Sequence, residues 1–556
     1  MSSEADQYMA VAATSAQNNE ALFKSKKWVY SVDSNSNGGN FGQEIQFDLG
    51  ILGSQADYTL LSEAQIDLTV FTTVSSDNAL FSTTVAAATF NKDLTIIKNG
   101  SHHFVHAAAL NIDGRSIQDF QNYQNISTHA DMMTSFSQEE LNKYSSTLHM
   151  SKIPEDYSDF ENTASATVLT ASGFNICDTT KNPSALERKN TQCNGSTGLA
   201  STIGNSTTAG HTMVQTATVG ASGFTAGSIV AGQYVYVKAD TITIRLKDIV
   251  PAVKNLPPIK NLKGILYIKV NAIEAKLTSA GSTSGLLSIT SVTSTAGSSC
   301  PVQMLCSSGA LPNLLSTGVA TAAGAWTLRC GPLGVNPSST LQSPKAAHVN
   351  ARLICPKYEA NPAVDAALSM KKTFTVIERR STRVSLAAQQ GNTFNINSGV
   401  ANPRFVRVYP FFSGVGESGS AIPASYNPLM SLVSSEGATT SPLAQLTNFN
   451  VYVGNKSIFQ DSQNFDYENF MYEISKLGAN GGMDSTMNSG LINSYLWEHF
   501  YRYYCADVSR RLSSEDGNMK SIQVQATNGT KLGLDLFVDT FSERQHTIDT
   551  SLCKFV

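Results

Sequence analysis

From Leu446 to Phe541, apolar residues recur at every second position in two separate segments, and that period restricts both segments to strands with one face on a core. In the first segment Phe449, Val451 and Val453 alternate with polar or amphipathic neighbours. In the second, Ile522, Val524 and Ala526 alternate up to Asn528-Gly529, and Leu532, Leu534, Leu536 and Val538 alternate after it. An Asn-Gly pair between alternating runs predicts a hairpin closed by a type I′ turn. A helix is expected between the two segments. Asp466 can cap it, Phe470, Ile474 and Leu477 fall on one face, and Gly478 can end it.

The upstream chain carries the same strand texture. Trp28 to Val32 is strand-like, Asn37-Gly38-Gly39 reads as a turn, and Ile45, Phe47 and Leu49, then Ile66, Leu68 and Val70, alternate. Within a less regular stretch from Asp119 to Met150, Ser137 and Glu140 have the spacing of a capping box. Thr241 to Ile249 and Ile265 to Val270 read as strands joined by a stiff corner at Leu256-Pro257-Pro258-Ile259, because adjacent prolines cannot donate to a central ladder. Val349 to Pro356 reads as the last strand of a first half. Lys371 to Val376 opens a second half, and Arg404 to Phe412 continues it. Residues 162–232 and 276–343 drift to Thr, Ser, Ala and Gly with few large apolar residues, and are read as surface insertions.

Charged residues make up 15% of the chain, below the usual figure of about a quarter. Such neutral surfaces suit a β-rich protein with permanent contacts. The net charge of −4 excludes a strong overall field for nucleic acid. Phosphate neutralisation needs cations, yet Glu4, Asp6 and Glu20 precede the small cluster Lys24, Lys26 and Lys27, so little or no direct nucleic-acid binding is expected. Met1 to Asn19 has neither the basic start nor the apolar run of a secretory signal, and synthesis as a soluble intracellular chain is expected. The eight cysteines include no CxxC pair, which argues against a zinc site and leaves reduced thiols as the default, although bridges within the insertions could form after release from the cell.

An ordered series of short motifs runs through the second half: Leu446 to Val451, Tyr467-Glu468-Asn469-Phe470, Asn480-Gly481-Gly482 and Ser489-Gly490-Leu491-Ile492. Trp497-Glu498, Tyr501-Arg502-Tyr503, Asp507 to Arg511 and Leu534 to Val538 follow. This series resembles the second half of the double jelly-roll major capsid proteins of small eukaryotic DNA viruses, of the Polinton-like, virophage and adintovirus type. Leu246-Lys247-Asp248-Ile249 with Leu256-Pro257-Pro258-Ile259 is similar to their first half. The resemblance implies an all-β fold of two consecutive eight-stranded jelly rolls with long surface insertions and a few short helices. A flexible arm would occupy 1–26, the first jelly roll 27–362 and the second 371–556. It further implies a major capsid protein: a homotrimeric, pseudo-hexameric capsomer tiling an icosahedral shell around double-stranded DNA. Its partners would be itself, neighbouring capsomers, penton proteins and minor or cement capsid proteins, with host-receptor contact through the insertions, and its location the virion capsid. A β-sandwich adhesin or carbohydrate-binding surface protein shares the composition, but calls for a secretion route and a concave aromatic or metal site.

No enzyme and no cofactor is expected. Gly414-Val415-Gly416-Glu417-Ser418-Gly419 fits GxGxxG, but Pro423 and Asn427-Pro428 follow where a phosphate-binding helix would be needed, so a flexible loop is the better reading. His102, His103 and His106 cluster in sequence; in a strand only His102 and His106 would share a face, and without a nearby carboxylate or cysteine no metal site is assigned. No HExxH, GxSxG or P-loop lysine pattern occurs. The sequons at Asn99, Asn125, Asn194, Asn205, Asn455 and Asn528 follow from composition, and Arg510-Arg511 is read as an ion-pairing group at a subunit edge with Glu515 and Asp516.

Overall fold

The computed structural model describes residues 22–34, 44–77, 88–151, 179, 182–193, 212–216, 218–219, 231–279, 289–294, 299–305, 313–317, 324–331, 351–416, 429–430, 432, 444–460, 464–476, 489–509, 514 and 517–555. Counting framework strands only, the first half holds β1 (Phe23–Val32), β2 (Glu44–Asp48), β3 (Gln65–Ser76), β4 (Val105–Ile112), β5 (Arg115–Gln118), β6 (Tyr234–Arg245), β7 (Gly264–Val270) and β8 (Arg352–Ala360). These pair in the orders β1-β8-β3-β6 and β2-β7-β4-β5. The second half holds β9 (Lys371–Leu386), β10 (Gly391–Ala401), β11 (Pro403–Gly416), β12 (Leu446–Val453), β13 (Lys456–Ser457), β14 (Tyr504–Asp507), β15 (Met519–Asn528) and β16 (Leu532–Asp549). Their orders are β9-β16-β11-β14 and β10-β15-β12-β13. Each half repeats the same permutation of eight antiparallel strands over two sheets. That is the jelly roll, present twice.

Each pair of sheets closes over one apolar core. In the first half Ile45 and Phe47 of β2, Leu266 and Ile268 of β7, Leu68 and Val70 of β3 and Leu353 of β8 belong to one buried cluster. Phe449 and Val451 of β12, Val524 of β15, Val408 of β11 and Leu536 of β16 do the same in the second. In β15 the alternation of the sequence is the alternation of buried and half-buried positions, whereas in β12 Asn450 is buried between Phe449 and Val451.

Asn528-Gly529 does not close a hairpin. β15 and β16 lie in different sheets, β15 between β10 and β12 and β16 between β9 and β11. Neither Asn528 nor Gly529 takes the positive φ that a type I′ turn needs. Instead the buried Asn528 side chain organises a corner between sheets: Nδ2 donates to the carbonyls of Ala387 (3.1 Å) and Leu532 (2.7 Å), and Oδ1 accepts from Thr530 N (2.9 Å).

Two further elements differ from the sequence reading. The strand ending β6 stops at Arg245, and Leu246–Ile249 is a single helical turn. Gly324–Gly331, within the stretch read as poor in core residues, pairs with β3 at residues 71–76, on the edge that β8 occupies at residues 65–67. Its Trp326 is fully buried, edge-on to Phe90 at 5.9 Å. Helices are α1 (Gln124–Ser135), α2 (Gln138–Leu148), α3 (Pro183–Cys193), α4 (Pro362–Leu368), α5 (Tyr467–Ser475) and α6 (Ser494–His499). Ser137 and Glu140 form the expected capping box of α2, and Asp466 Oδ1 accepts from Asn469 N at the start of α5. Leu477 and Gly478 lie outside the described residues, as does the turn at Asn37 to Gly39.

Candidate functional site at the seam between the sandwiches

Helices α1 and α2 lie between β5 and β6 in sequence, and their apolar residues join the core of the second half. Ile126, Ala130, Met132 and Met133 of α1 and Leu141 and Leu148 of α2 belong to the second half's core cluster. α1 lies against the outer face of the β9-β16-β11-β14 sheet, where Asp131 meets Arg407 and Gln124 meets Arg379, while α2 packs against β6 of the first half; Gly533 to Ser542 of β16 is buried throughout, with Asp535, Phe537, Asp539 and Phe541 facing away from the sandwich interior.

Burying polar strand residues requires partners, and the seam supplies the principal charged ones while Arg407 Nε and Nη1 and Asp539 Oδ2 stay without a hydrogen bond. The guanidinium of Arg407 on β11, fully buried, donates from Nη2 to Asp131 Oδ1 of α1 at 2.5 Å. Burial disfavours its charge, but the carboxylate of Asp131, with Tyr409 and Asp539 adding, outweighs that and raises the pKa of Arg407. Arg379 on β9 donates from Nη1 to Asp539 Oδ1 (3.0 Å) and from Nη2 to the carbonyls of Gln121 (3.1 Å) and Asn122 (3.2 Å) and to Gln124 Oε1 (2.9 Å). Tyr123, at the start of α1, takes a left-handed φ of 58° and stacks edge-on against Phe537 at 4.5 Å. Gly490 backs onto the C-terminal turn of α1, where Leu491 N donates to Met133 O at 2.8 Å. The Ser489 to Ile492 motif is therefore part of the seam.

The histidines gather differently from the strand-based expectation. His102 and His103 lie in a 3₁₀ turn, Ser101–Phe104, and not in a strand, so both rings reach one cluster; His106 sits apart on β4, edge-on to Tyr123 at 5.2 Å. The third member is His129 of α1, with His102 Nε2 and His129 Nδ1 3.0 Å apart. Gly100 permits this packing, since with φ at +121° a Cβ would stand 2.1 Å from His102 Cε1. Ring centroids are 4.4 Å (His102–His103), 5.1 Å (His102–His129) and 5.4 Å (His103–His129). Burial holds His102 and His103 well below the ordinary histidine range, with neighbouring His129 and His102 respectively acting in the same direction, and it lowers His129 to about 3. All three are neutral imidazoles.

Gly414 to Gly416 continue β11, with Gly416 paired to Leu532; Glu417 to Gly419 lie outside the described residues, as do Arg510, Arg511, Glu515 and Asp516. Asn99, Asn125 and Asn528 are buried, which favours the compositional origin of those sequons. Cys300, Cys330, Cys355, Cys505 and Cys553 are buried free thiols. Burial raises the pKa of each. No helix among the described residues is long and apolar enough to cross a membrane.

No protein-family model and no curated protein matches the sequence. Among solved structures the chain is similar to the mavirus major capsid protein, with 11% identity and a TM-score of 0.46 over 98% of this chain and 92% of that one. The likeness is to viral capsid proteins. A chain of the Sputnik virophage structure aligns at 11% identity and a TM-score of 0.42 over 97% and 91% of the two chains, and the Faustovirus major capsid protein at 8% and 0.40 over 95% and 91%. At these values the double jelly roll rests on the strand order of the chain itself.

Proposed function

We propose that this chain is a viral major capsid protein and not an enzyme, three copies of which form a pseudo-hexagonal capsomer of an icosahedral shell around double-stranded DNA. The observation that carries the reading is the same eight-strand permutation occurring twice in one chain, beside the ordered motif series of the second half. Two like lobes per chain give a trimer six, and a six-lobed block tiles a plane by its outline alone.

Rigid tiling needs the two lobes held in one relative orientation. The seam supports this, because α1 belongs to the first half in sequence and packs on both halves: Thr128 donates to the Asp248 carbonyl of the first, and Asp131 pairs with Arg407 of the second. Edge strand β1 exposes Trp28 (52%) and Tyr30 (58%), aromatic groups of the kind enriched at permanent interfaces between copies. The shifted cysteines, buried tyrosines and buried histidines lie in the core, an arrangement that suits a structural protein. Synthesis as a soluble intracellular chain, followed by incorporation into the virion with penton and minor or cement proteins, completes the proposal.

Light scattering on the purified chain, followed by negative-stain imaging, tests it. Particles of about three times 59.5 kDa with a hexagonal outline, or closed shells, are the expected result. A monomer that never assembles at high concentration would overturn the proposal and favour the adhesin-like reading.

A further inference from the structure

We infer that His102, His103 and His129 form a binding site for one divalent transition-metal ion of the zinc class, which clamps the Ser101–Phe104 turn to α1. All three side chains are buried, and one ligand-type nitrogen from each lies within 4.8 Å of the others. Imidazole nitrogens bound to one tetrahedral zinc stand about 3.3 Å apart, given zinc–nitrogen bonds of about 2.0–2.1 Å. His102 Nε2 and His129 Nδ1, at 3.0 Å, already form one edge of such a site. Closing the remaining edges moves a ring by no more than about 1.5 Å on the same bond geometry.

A second observation points to a ligand. His102 Nδ1 and both ring nitrogens of His103 are buried without a hydrogen-bond partner; the Asn99 backbone lies near His103 and slightly favours a charged ring, but makes no hydrogen bond of good geometry with it. Each orphaned buried nitrogen has lost its bond to water without a replacement, so the polar cluster is unfavourable as it stands. Coordination would satisfy one nitrogen on His103.

The donor set selects the ion. Three neutral imidazoles without a carboxylate or thiolate suit zinc, copper or nickel, and not calcium or magnesium, which require oxygen ligands. The surrounding charges do not assist a cation, so its affinity would come from the imidazole donors alone. Arg245 faces His102 but is paired with Asp248, Nε to Oδ2 at 2.6 Å and Nη2 to Oδ1 at 3.1 Å, and Lys98 faces His103. Three protein ligands leave the fourth tetrahedral position to a water or small anion. His129 also packs, with a tilted ring, 5.6 Å from Tyr501 of the second half, so an ion here stiffens the helix on which the seam depends.

The test uses the full-length, untagged chain, stripped with a chelator and then titrated with zinc chloride. Mass spectrometry for metals after desalting should give about one zinc per chain, and zinc should raise the thermal midpoint by several degrees, since an ion that binds only the folded state stabilises it. Cobalt(II) in place of zinc should produce the visible absorption of a tetrahedral site. His103→Asn and His129→Gln should each abolish stoichiometric binding and the thermal shift. Wild-type protein that retains no zinc and shows no shift overturns the inference, and so does zinc binding that survives both substitutions. Should either variant fail to fold, the wild-type titration and cobalt spectrum decide alone.

Discussion

Arg407 of β11 and Asp131 of α1 form an ion pair at 2.5 Å across 276 positions of sequence. Arg407 is fully buried, whereas the Asp131 side chain keeps 28% of its exposure. The pair ties a helix contributed by the first jelly roll to a central strand of the second. A buried charge is costly without its hydrogen-bonded anionic partner, so this contact couples the two halves.

Asp131→Asn is therefore expected to destabilise the chain by about 3 kcal/mol, because it leaves the guanidinium buried without its counter-charge. Arg407→Met should cost less in the Asp131→Asn background than alone, since the charge that needed compensation is gone. Urea unfolding of the four members of this cycle checks both statements. Equal effects of Arg407→Met in the two backgrounds would show that the pair is not coupled.

A second prediction concerns Gly490, whose φ is +67°. A Cβ there would lie 2.4 Å from the carbonyl carbon of Thr134 and 2.6 Å from the oxygen of Met133, backbone atoms of α1 that cannot rotate away. Gly490→Ala combines left-handed strain with overpacking and should cost roughly 2–5 kcal/mol. Limited proteolysis should then cut the variant near α1 faster than wild type, and unchanged protection would exclude this close packing.

Much of the framework is legible in the sequence because a strand with one face on a core must alternate. Phe449, Val451 and Val524 are examples, all fully buried. The seam is not legible in that way. α1 buries Asn125, Thr128 and His129 as well as Ile126 and Ala130, so it carries no clean apolar stripe. β16 likewise reads as half-buried, yet Asp535 and Asp539 are buried, on a face that α1 reaches from the other half. His129 lacked any local signal linking it to His102 and His103, since 3₁₀ geometry and long-range packing together bring the rings into one cluster. α3 carries no strong apolar stripe among its Thr- and Ser-rich neighbours, although its buried Arg188 donates to the Ile97 carbonyl (2.9 Å) and to Gln303 (3.1 Å).

Asn528 gives a third prediction, which separates a corner from a hairpin. As a type I′ turn residue Asn528 would tolerate Gly or Asp, because left-handed φ would be the sole requirement. As the corner residue, its amide must both donate to Ala387 and Leu532 and accept from Thr530. Asn528→Asp removes both donations and places a carboxylate against two carbonyls at a buried site. A loss of about 2–3 kcal/mol is expected, and Asn528→Gly should also destabilise by 1 kcal/mol or more on the order of lost buried hydrogen bonds. Urea midpoints of the two variants equal to wild type would return the segment to a simple turn.

Acid should weaken the fold in part through His546 of β16. This ring is 3% exposed, packs at 5.8 Å from both Phe374 and Phe555, and has a buried Nε2 without a hydrogen-bond partner. Burial lowers its pKa below the ordinary 6.5, and the positive charges of Arg544 and Arg115 lower it further. The sign follows from which state takes the proton. Above 6.5 both folded and unfolded chains hold the ring neutral, and its contribution to stability is complete; as pH falls below 6.5 the unfolded chain protonates first, and stability is lost until the folded pKa is passed. The slope for one such group is at most about 1.4 kcal/mol per pH unit. His546→Phe keeps a flat ring between Phe374 and Phe555 and removes the titration, so its urea midpoint should fall less than that of wild type between pH 7.5 and 5.5. The other buried histidines act alike in both proteins and cancel in that difference. Identical pH dependence of the two proteins would mean that the His546 ring is solvated in the native state.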